Sequence, residues 1–351
     1  ETGDLYWRNP AVFNNMHQSA RKVNPSEKLN LYPEGGMHMN WESLTGRHLV
    51  DPEDLTLEEI NELMEMGIRM EASPEQFADC CRGKILGTLF YEPSTRTRLS
   101  FESAMLRLGG QVLGFSDAAV SSAAKGESLA DTVRVMDDYA HALVIRHPRE
   151  GAPKLAAQYA TVPVINGGDG GHQHPTQTLT DLLTLRKYHG AIENLQVAFC
   201  GDLLFGRTVH SLLKTLCRFP GMTFHLVSPS ELRIPGHLKT ELQNRYNLVL
   251  HETHRLEDCI QDIDLLYMTR IQKERFFNEE EYVKLKDSFI LTRDKLKSAG
   301  ENLLIMHPLP RVNEITYEVD DDPRARYFQQ AALGVYIRMA LLAAVMGVKL
   351  S

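Results

Sequence analysis

Short apolar runs and helix-period segments alternate along this chain from residue 54 to its end, and that alternation is its strongest constraint on fold. Strands are expected at residues 85–91, 112–115, 142–146 and 162–166. Helices are expected between and after them, at about 94–108, 127–139, 153–159 and 175–188. A helix with Asp54 as its N-cap precedes this first run. A second run follows, with strands at 196–200, 223–227, 248–251, 265–269 and 303–307 and helices at 208–218 and 238–246. The strand–helix unit repeated through the first run implies a mostly parallel sheet covered on both faces. The expected class is therefore α/β, as two doubly wound domains, each with a mostly parallel sheet. The last helix, about 328–346, is apolar on most sides and calls for a buried place.

The polar stretch 187–194, with Gly190, separates the two runs. Residues 1–45 lack a sustained period and read as an irregular extension. With 351 residues, 43% of them hydrophobic, the chain is long enough for two cores. The formal net charge of −8 gives no sign of nucleic-acid or membrane binding, so any cations that hold an anion must be local. Five cysteines (Cys80, Cys81, Cys200, Cys217, Cys259) form no Cys-x-x-Cys pair and suit a reducing cytoplasm. The opening residues carry no signal-peptide pattern, and the apolar stretch 331–348 is interrupted by Arg338.

Cations and donors gather where strands end and helices begin. Residues 90–98 (FYEPSTRTR) bring Ser94, Thr95, Arg96 and Thr97 to a helix start, whose free N–H groups and dipole suit a tetrahedral anion. Their bland alternative is a helix cap with solvated arginines. Arg146 follows another apolar strand and is placed to reach the same anion or a surface carboxylate. In the Gly-rich turn expected at 167–177 after strand 162–166, His174 and Gln177 lie three apart at a helix start. His174 suits a carbonyl oxygen gaining charge, and Gln177 suits an amide. His172-Gln173-His174 has no Cys, Asp or Glu at a third-ligand spacing, so no metal is expected. The turn at 200–208 lacks Gly-x-Gly-x-x-Gly spacing, and so favours a carboxylate at Arg207 and Thr208 over a dinucleotide. Arg270, at a strand end with Gln272 beyond it, suits a second carboxylate. Pro308 and Leu309 lie in His307-Pro308-Leu309-Pro310-Arg311, where rigid carbonyls suit an amide or amine donor.

In this order these motifs, with Lys125-Gly126-Glu127, Arg146-His147-Pro148 and residues 269–275 (TRIQKER), closely resemble the aspartate/ornithine carbamoyltransferase family from about residue 54 onward. His-Pro-Leu-Pro at 307–310, where ornithine enzymes place a Cys, and Arg270 with Gln272 favour the aspartate branch. The extension 1–45 matches nothing in that family, and the loop 118–124 is about a residue shorter than in some relatives.

The resemblance implies carbamoyl transfer from carbamoyl phosphate to the amine of L-aspartate, a step of pyrimidine biosynthesis, without metal, cofactor or covalent intermediate. It implies a carbamoyl phosphate domain over 46–187, completed by 326–351 as the C-terminal helix returns to the first domain, and an aspartate domain over 188–325. It also implies a cytoplasmic homotrimer with shared sites, and leaves regulatory chains open as further partners. Ser94, Thr95, Arg96, Thr97 and Arg146 would hold the phosphate, with Ser121 (or Ser122) and Lys125 from the adjacent chain. Thr97, Arg146 and His174 would polarise the carbamoyl oxygen. Gln177 and the Pro308 and Leu309 carbonyls would hold its NH2. Arg207, Thr208, Arg270, Gln272, Leu309 and Lys125 would bind aspartate. The rival readings are transfer to another amine, such as ornithine, and a catalytically silent binding module.

Overall fold

The computed structural model describes residues 41–272, 278–285 and 288–349, all within the compact unit Asn40–Ser351. Residues 1–40 of the expected extension, and Lys273, Glu274 and Arg275 of the 269–275 motif, lie outside the described residues. In chain order the elements are α1 (Leu57–Ala72), β1 (Ile85–Phe90), α2 (Thr95–Arg107), β2 (Gln111–Phe115), α3 (Leu129–Asp137), β3 (Ala142–His147), α4 (Ala152–Ala157), β4 (Val164–Asp169) and α5 (Pro175–His189). They continue with β5 (Gln196–Cys200), α6 (Arg207–Leu216), β6 (Thr223–Val227), α7 (Gly236–Tyr246), β7 (Leu250–Thr253), β8 (Leu265–Met268), α8 (Glu279–Leu285), β9 (Leu304–Met306) and α9 (Tyr327–Val345).

Two sheets form, β2-β1-β3-β4 and β7-β6-β5-β8-β9, and every strand pair in both is parallel. The fold is thus α/β with alternating helices. Parallel pairing puts the carboxyl ends of all strands of a sheet on one edge, and the loops that leave that edge are where α/β sheets bind ligands. The polar stretch 187–194 spans the end of α5 and the turn before β5.

Each sheet has its own core. Leu89, Leu143, Ile145 and Val164 pack with Val133 and Met136 of α3 on the first. Ala198, Leu266, Met268 and Ile305 pack with Ile260, Leu291 and Val319 on the second. Full burial of each such aliphatic side chain contributes roughly 1.5–3 kcal/mol. Cys81, Cys200, Cys217 and Cys259 serve as small buried apolar groups, and all five thiols are free.

α9 comes after the second sheet yet packs on α1, α2 and α5 of the first, which buries thirteen of its residues and explains its apolar composition. Among the described residues it is the one helix long and apolar enough to cross a membrane, and it is mostly buried inside the protein.

Three local expectations change. The N-cap of α1 is Thr56, in a capping box with Glu59, because Asp54 instead accepts from the Val50 and Asp51 amides at 2.7 and 2.8 Å. The strand expected at 162–166 runs from Val164 to Asp169, so Gly167 and Gly168 extend it rather than turning. Helix α8 was not anticipated from its short, Glu-rich sequence.

Candidate active site

The loops at the strand ends enclose a cavity of about 780 Å³ lined by residues of both sheets. Ser94, Thr95, Arg96 and Thr97, Arg146, His174 and Gln177 line it beside Arg207, Thr208, Arg270, Gln272, Pro308 and Leu309. Residues more than 200 positions apart in sequence therefore share one chamber.

Ser94 is the N-cap residue of α2, with an extended backbone and no side-chain capping bond, so the first amides of the helix remain unclaimed by that hydroxyl. Thr97 is buried, and its Oγ1 lies 3.4 Å from His174 Nε2. His174 precedes the first turn of α5, and its own amide donates to Ser211 Oγ (3.1 Å), which donates to Gln173 Oε1 (2.6 Å). That chain ties the start of α5 to α6. Burial, then the charges of Arg207, Arg146 and Arg338, hold the imidazole of His174 well below the ordinary histidine range. It is a neutral hydrogen-bonding group at physiological pH. His172 faces elsewhere, with its Nδ1 3.2 Å from Asp169.

Arg146 leaves the end of β3, donates to the Gly167 carbonyl at 3.2 Å and pairs with Glu92 at 3.3 Å. Arg207 donates to the Gly170 carbonyl. Both guanidiniums close over Gly168, which has φ +115° and has no room for a side chain. A Cβ there would lie 2.8 Å from Arg146 Nη1 and 3.4 Å from Arg207 Cζ. Burial first, then the neighbouring charges of Arg146 and Arg270, push the Arg96 guanidinium below its usual value, as expected where cations are crowded with room for an anion.

On the second sheet Gln272 donates to the Phe205 carbonyl at 3.1 Å, fixing it against the turn that carries Arg207. Beneath that turn the buried Asp202 accepts from the Phe205 amide at 2.9 Å, and its own amide donates to Thr269 Oγ1 at 3.0 Å. Leu309 has φ +54°, and its amide donates to His307 Nδ1 at 2.8 Å. The other ring nitrogen of His307 donates to Glu314 at 2.7 Å. The 308–310 backbone at the cavity wall is therefore held from behind.

Ser121 and Lys125 do not line this cavity. Ser121 caps a short turn, accepting from the Ala123 amide, and Lys125 ends that turn exposed. Sequence reasoning missed Glu92, Gln330 and Arg338 as lining residues and Asp181 behind them. Gln330, Gly334 and Arg338 recur every four residues on one stripe of an otherwise apolar helix, a signal that was available.

Comparison with known proteins decides the family. Residues 47–187 match the model for the aspartate/ornithine carbamoyltransferase carbamoyl-P binding domain, and residues 193–345 match that for the Asp/Orn binding domain. The chain belongs to the aspartate/ornithine carbamoyltransferase family. Among similar members of that family is the aspartate carbamoyltransferase catalytic subunit of Alkaliphilus metalliredigens, 69% identical over 87% of this chain and 98% of the relative. The catalytic subunit from Clostridium kluyveri is 57% identical over 87% and 100%. Of the solved structures, aspartate transcarbamoylase from Trypanosoma cruzi in complex with N-(phosphonacetyl)-L-aspartic acid superposes with a TM-score of 0.82, at 39% identity over 86% of this chain and 97% of that one.

Proposed function

We propose that the chain transfers the carbamoyl group of carbamoyl phosphate to the amine of L-aspartate, giving N-carbamoyl-L-aspartate and phosphate. The observation that carries this reading is the charge of the cavity: among the described residues, Arg96, Arg146, Arg207, Arg270 and Arg338 line it with one carboxylate, Glu92. Such a chamber favours two anionic substrates and disfavours a cationic acceptor such as ornithine.

The start of α2 (Ser94, Thr95, Arg96, Thr97) and Arg146 hold the phosphate by amide and guanidinium donors. Thr97, Arg146 and His174 polarise the carbamoyl oxygen, and a neutral His174 does so by donating a hydrogen bond. Gln177 and the carbonyls of Pro308 and Leu309 take the NH2 group. Arg207, Thr208, Arg270, Gln272 and Leu309 take the aspartate. The amine nitrogen attacks the carbamoyl carbon, the N–C bond forms, and the C–O bond breaks with its electron pair leaving on phosphate. The departing phosphate receives the amine proton. Rate enhancement comes from positioning and from fixed positive charge where the oxyanion and phosphate charge grow. Residues 46–187, completed by 326–351, form the carbamoyl phosphate domain and 188–325 the aspartate domain, a division supported by the packing of α9 on α1, α2 and α5. The site is completed in a homotrimer by Ser121 and Lys125 of the adjacent chain, a reading supported by their position away from their own cavity. Five free thiols accord with the cytoplasm.

A test is binding of N-(phosphonacetyl)-L-aspartate, which joins a phosphonate to an aspartate. One molecule per chain, displaced by carbamoyl phosphate, supports a single chamber for both substrates. No binding at any concentration would contradict it.

A further inference from the structure

Asp181 lies on α5 one turn after Gln177, fully enclosed, and takes hydrogen bonds from three elements. Gln177 Nε2 and Gln330 Nε2 both donate to its Oδ1, at 2.7 and 2.6 Å, and the Tyr267 hydroxyl donates to its Oδ2 at 2.9 Å. A carboxylate accepts only. Turning either glutamine over would set an amide oxygen against Oδ1. Gln330 gives an independent check on this polarity, because its Oε1 accepts the His307 amide at 3.0 Å and its NH2 must therefore be the end on Asp181. Gln177 is held in the same sense. Its NH2 is spent on Asp181, it lines the cavity, and its Oε1 has no protein donor among the described residues.

We propose that Asp181 is a positioning residue that fixes the Gln177 amide with its oxygen offered to the bound donor, so that the site selects an acyl phosphate carrying an N–H group over one carrying a methyl group. This rests on the carbamoyl phosphate reading above. The NH2 of carbamoyl phosphate donates to Gln177 Oε1, whereas acetyl phosphate presents CH3 and leaves that acceptor unpaired, a loss expected to be about 10- to 100-fold in affinity. The same carboxylate holds Tyr267 of β8 and, through Gln330, the 307 backbone, so one group aligns the amide wall of the cavity from three sides.

The experiment measures competition of acetyl phosphate against carbamoyl phosphate above pH 8, since burial pushes the Asp181 carboxyl up to about 7. Asp181→Leu removes the acceptor at similar volume, and Asp181→Ala does so if the leucine variant does not fold. Asp181→Asn keeps an oxygen at the Oδ1 position and gives Tyr267 a donor. The preference for carbamoyl over acetyl phosphate should fall by tenfold or more in Asp181→Leu or Asp181→Ala, survive in Asp181→Asn, and collapse equally in Gln177→Met with no further loss in the double variant. The aspartate KM should change less than the carbamoyl phosphate KM. An unchanged preference in a folded Leu or Ala variant overturns the proposal, as does an Asn variant that loses as much as Leu. A wild-type chain that shows no preference at all would instead contradict the substrate reading.

Discussion

Thr97 Oγ1 and His174 Nε2 lie 3.4 Å apart although 77 residues separate them in sequence. One stands in the first turn of α2 after β1, the other just before α5 after β4. Parallel pairing of those strands through β3 brings both helix starts to one edge. Removing the imidazole by His174→Ala should lower kcat by roughly 10²–10³, as loss of one oxyanion donor does. Apparent affinity for phosphate should change far less, and a near-normal kcat would reduce His174 to a packing role.

The depressed pKa of His174 also makes a stability prediction. Its folded pKa lies well below the ordinary 6.5, through burial first and then the charges of Arg207, Arg146 and Arg338. A depressed folded pKa means stability that is fully present above the unfolded value and lost as pH falls toward the folded one. Between pH 6.5 and 5.5 the wild type should therefore lose about 1 kcal/mol more than His174→Asn, which has no such proton to exclude. Urea unfolding at the two pH values measures the difference, and parallel losses in both proteins would show that His174 titrates normally.

Arg270 stands two residues beyond β8, on the cavity wall. Arg270→Ala should raise the aspartate KM strongly and leave carbamoyl phosphate binding nearly unchanged, a loss on the order of 2–4 kcal/mol for a charge-assisted carboxylate contact. Steady-state kinetics with each substrate varied in turn measures this. An unaltered aspartate saturation curve would remove Arg270 from the acceptor site.

The succession of strands along the chain and the clusters at their ends could be read because each has a local cause. Apolar runs and helix periods mark the elements, and Ser94–Thr97 or Arg207–Thr208 announce themselves as donors at a helix start. Asp181 could not be found that way. Its role depends on Gln177 one turn away, Tyr267 on another sheet and Gln330 on the last helix, and only tertiary packing joins them. Asp54 misled because a cap is decided by which amide lies within reach, and its carboxylate reaches back to residues 50 and 51. Gly167 and Gly168 looked like a turn, but β4 runs on to Asp169 with its register against β3 shifted across them, and the bare backbone of Gly168 lets two guanidiniums approach.

Sharing of sites between chains can be tested by subunit mixing. Lys125→Ala and Arg146→Ala chains, each nearly inactive, would be dissociated, combined equally and reassembled. An intact site needs its home chain from the first pool and its lending chain from the second, so roughly a quarter of sites should regain activity in a cyclic assembly. Activity that stays at the level of the separate mutants, despite demonstrated exchange, would place Lys125 in its own chain's site or outside the chemistry.

The most direct measurement follows carbon-13-labelled carbamoyl phosphate by NMR in the presence of equal aspartate and ornithine. The label should pass to the amine of aspartate, with one phosphate released for each N-carbamoyl-L-aspartate formed and no carbamoylated ornithine above background. Label passing to ornithine, or phosphate released without a carbamoylated product, would contradict aspartate transcarbamoylation.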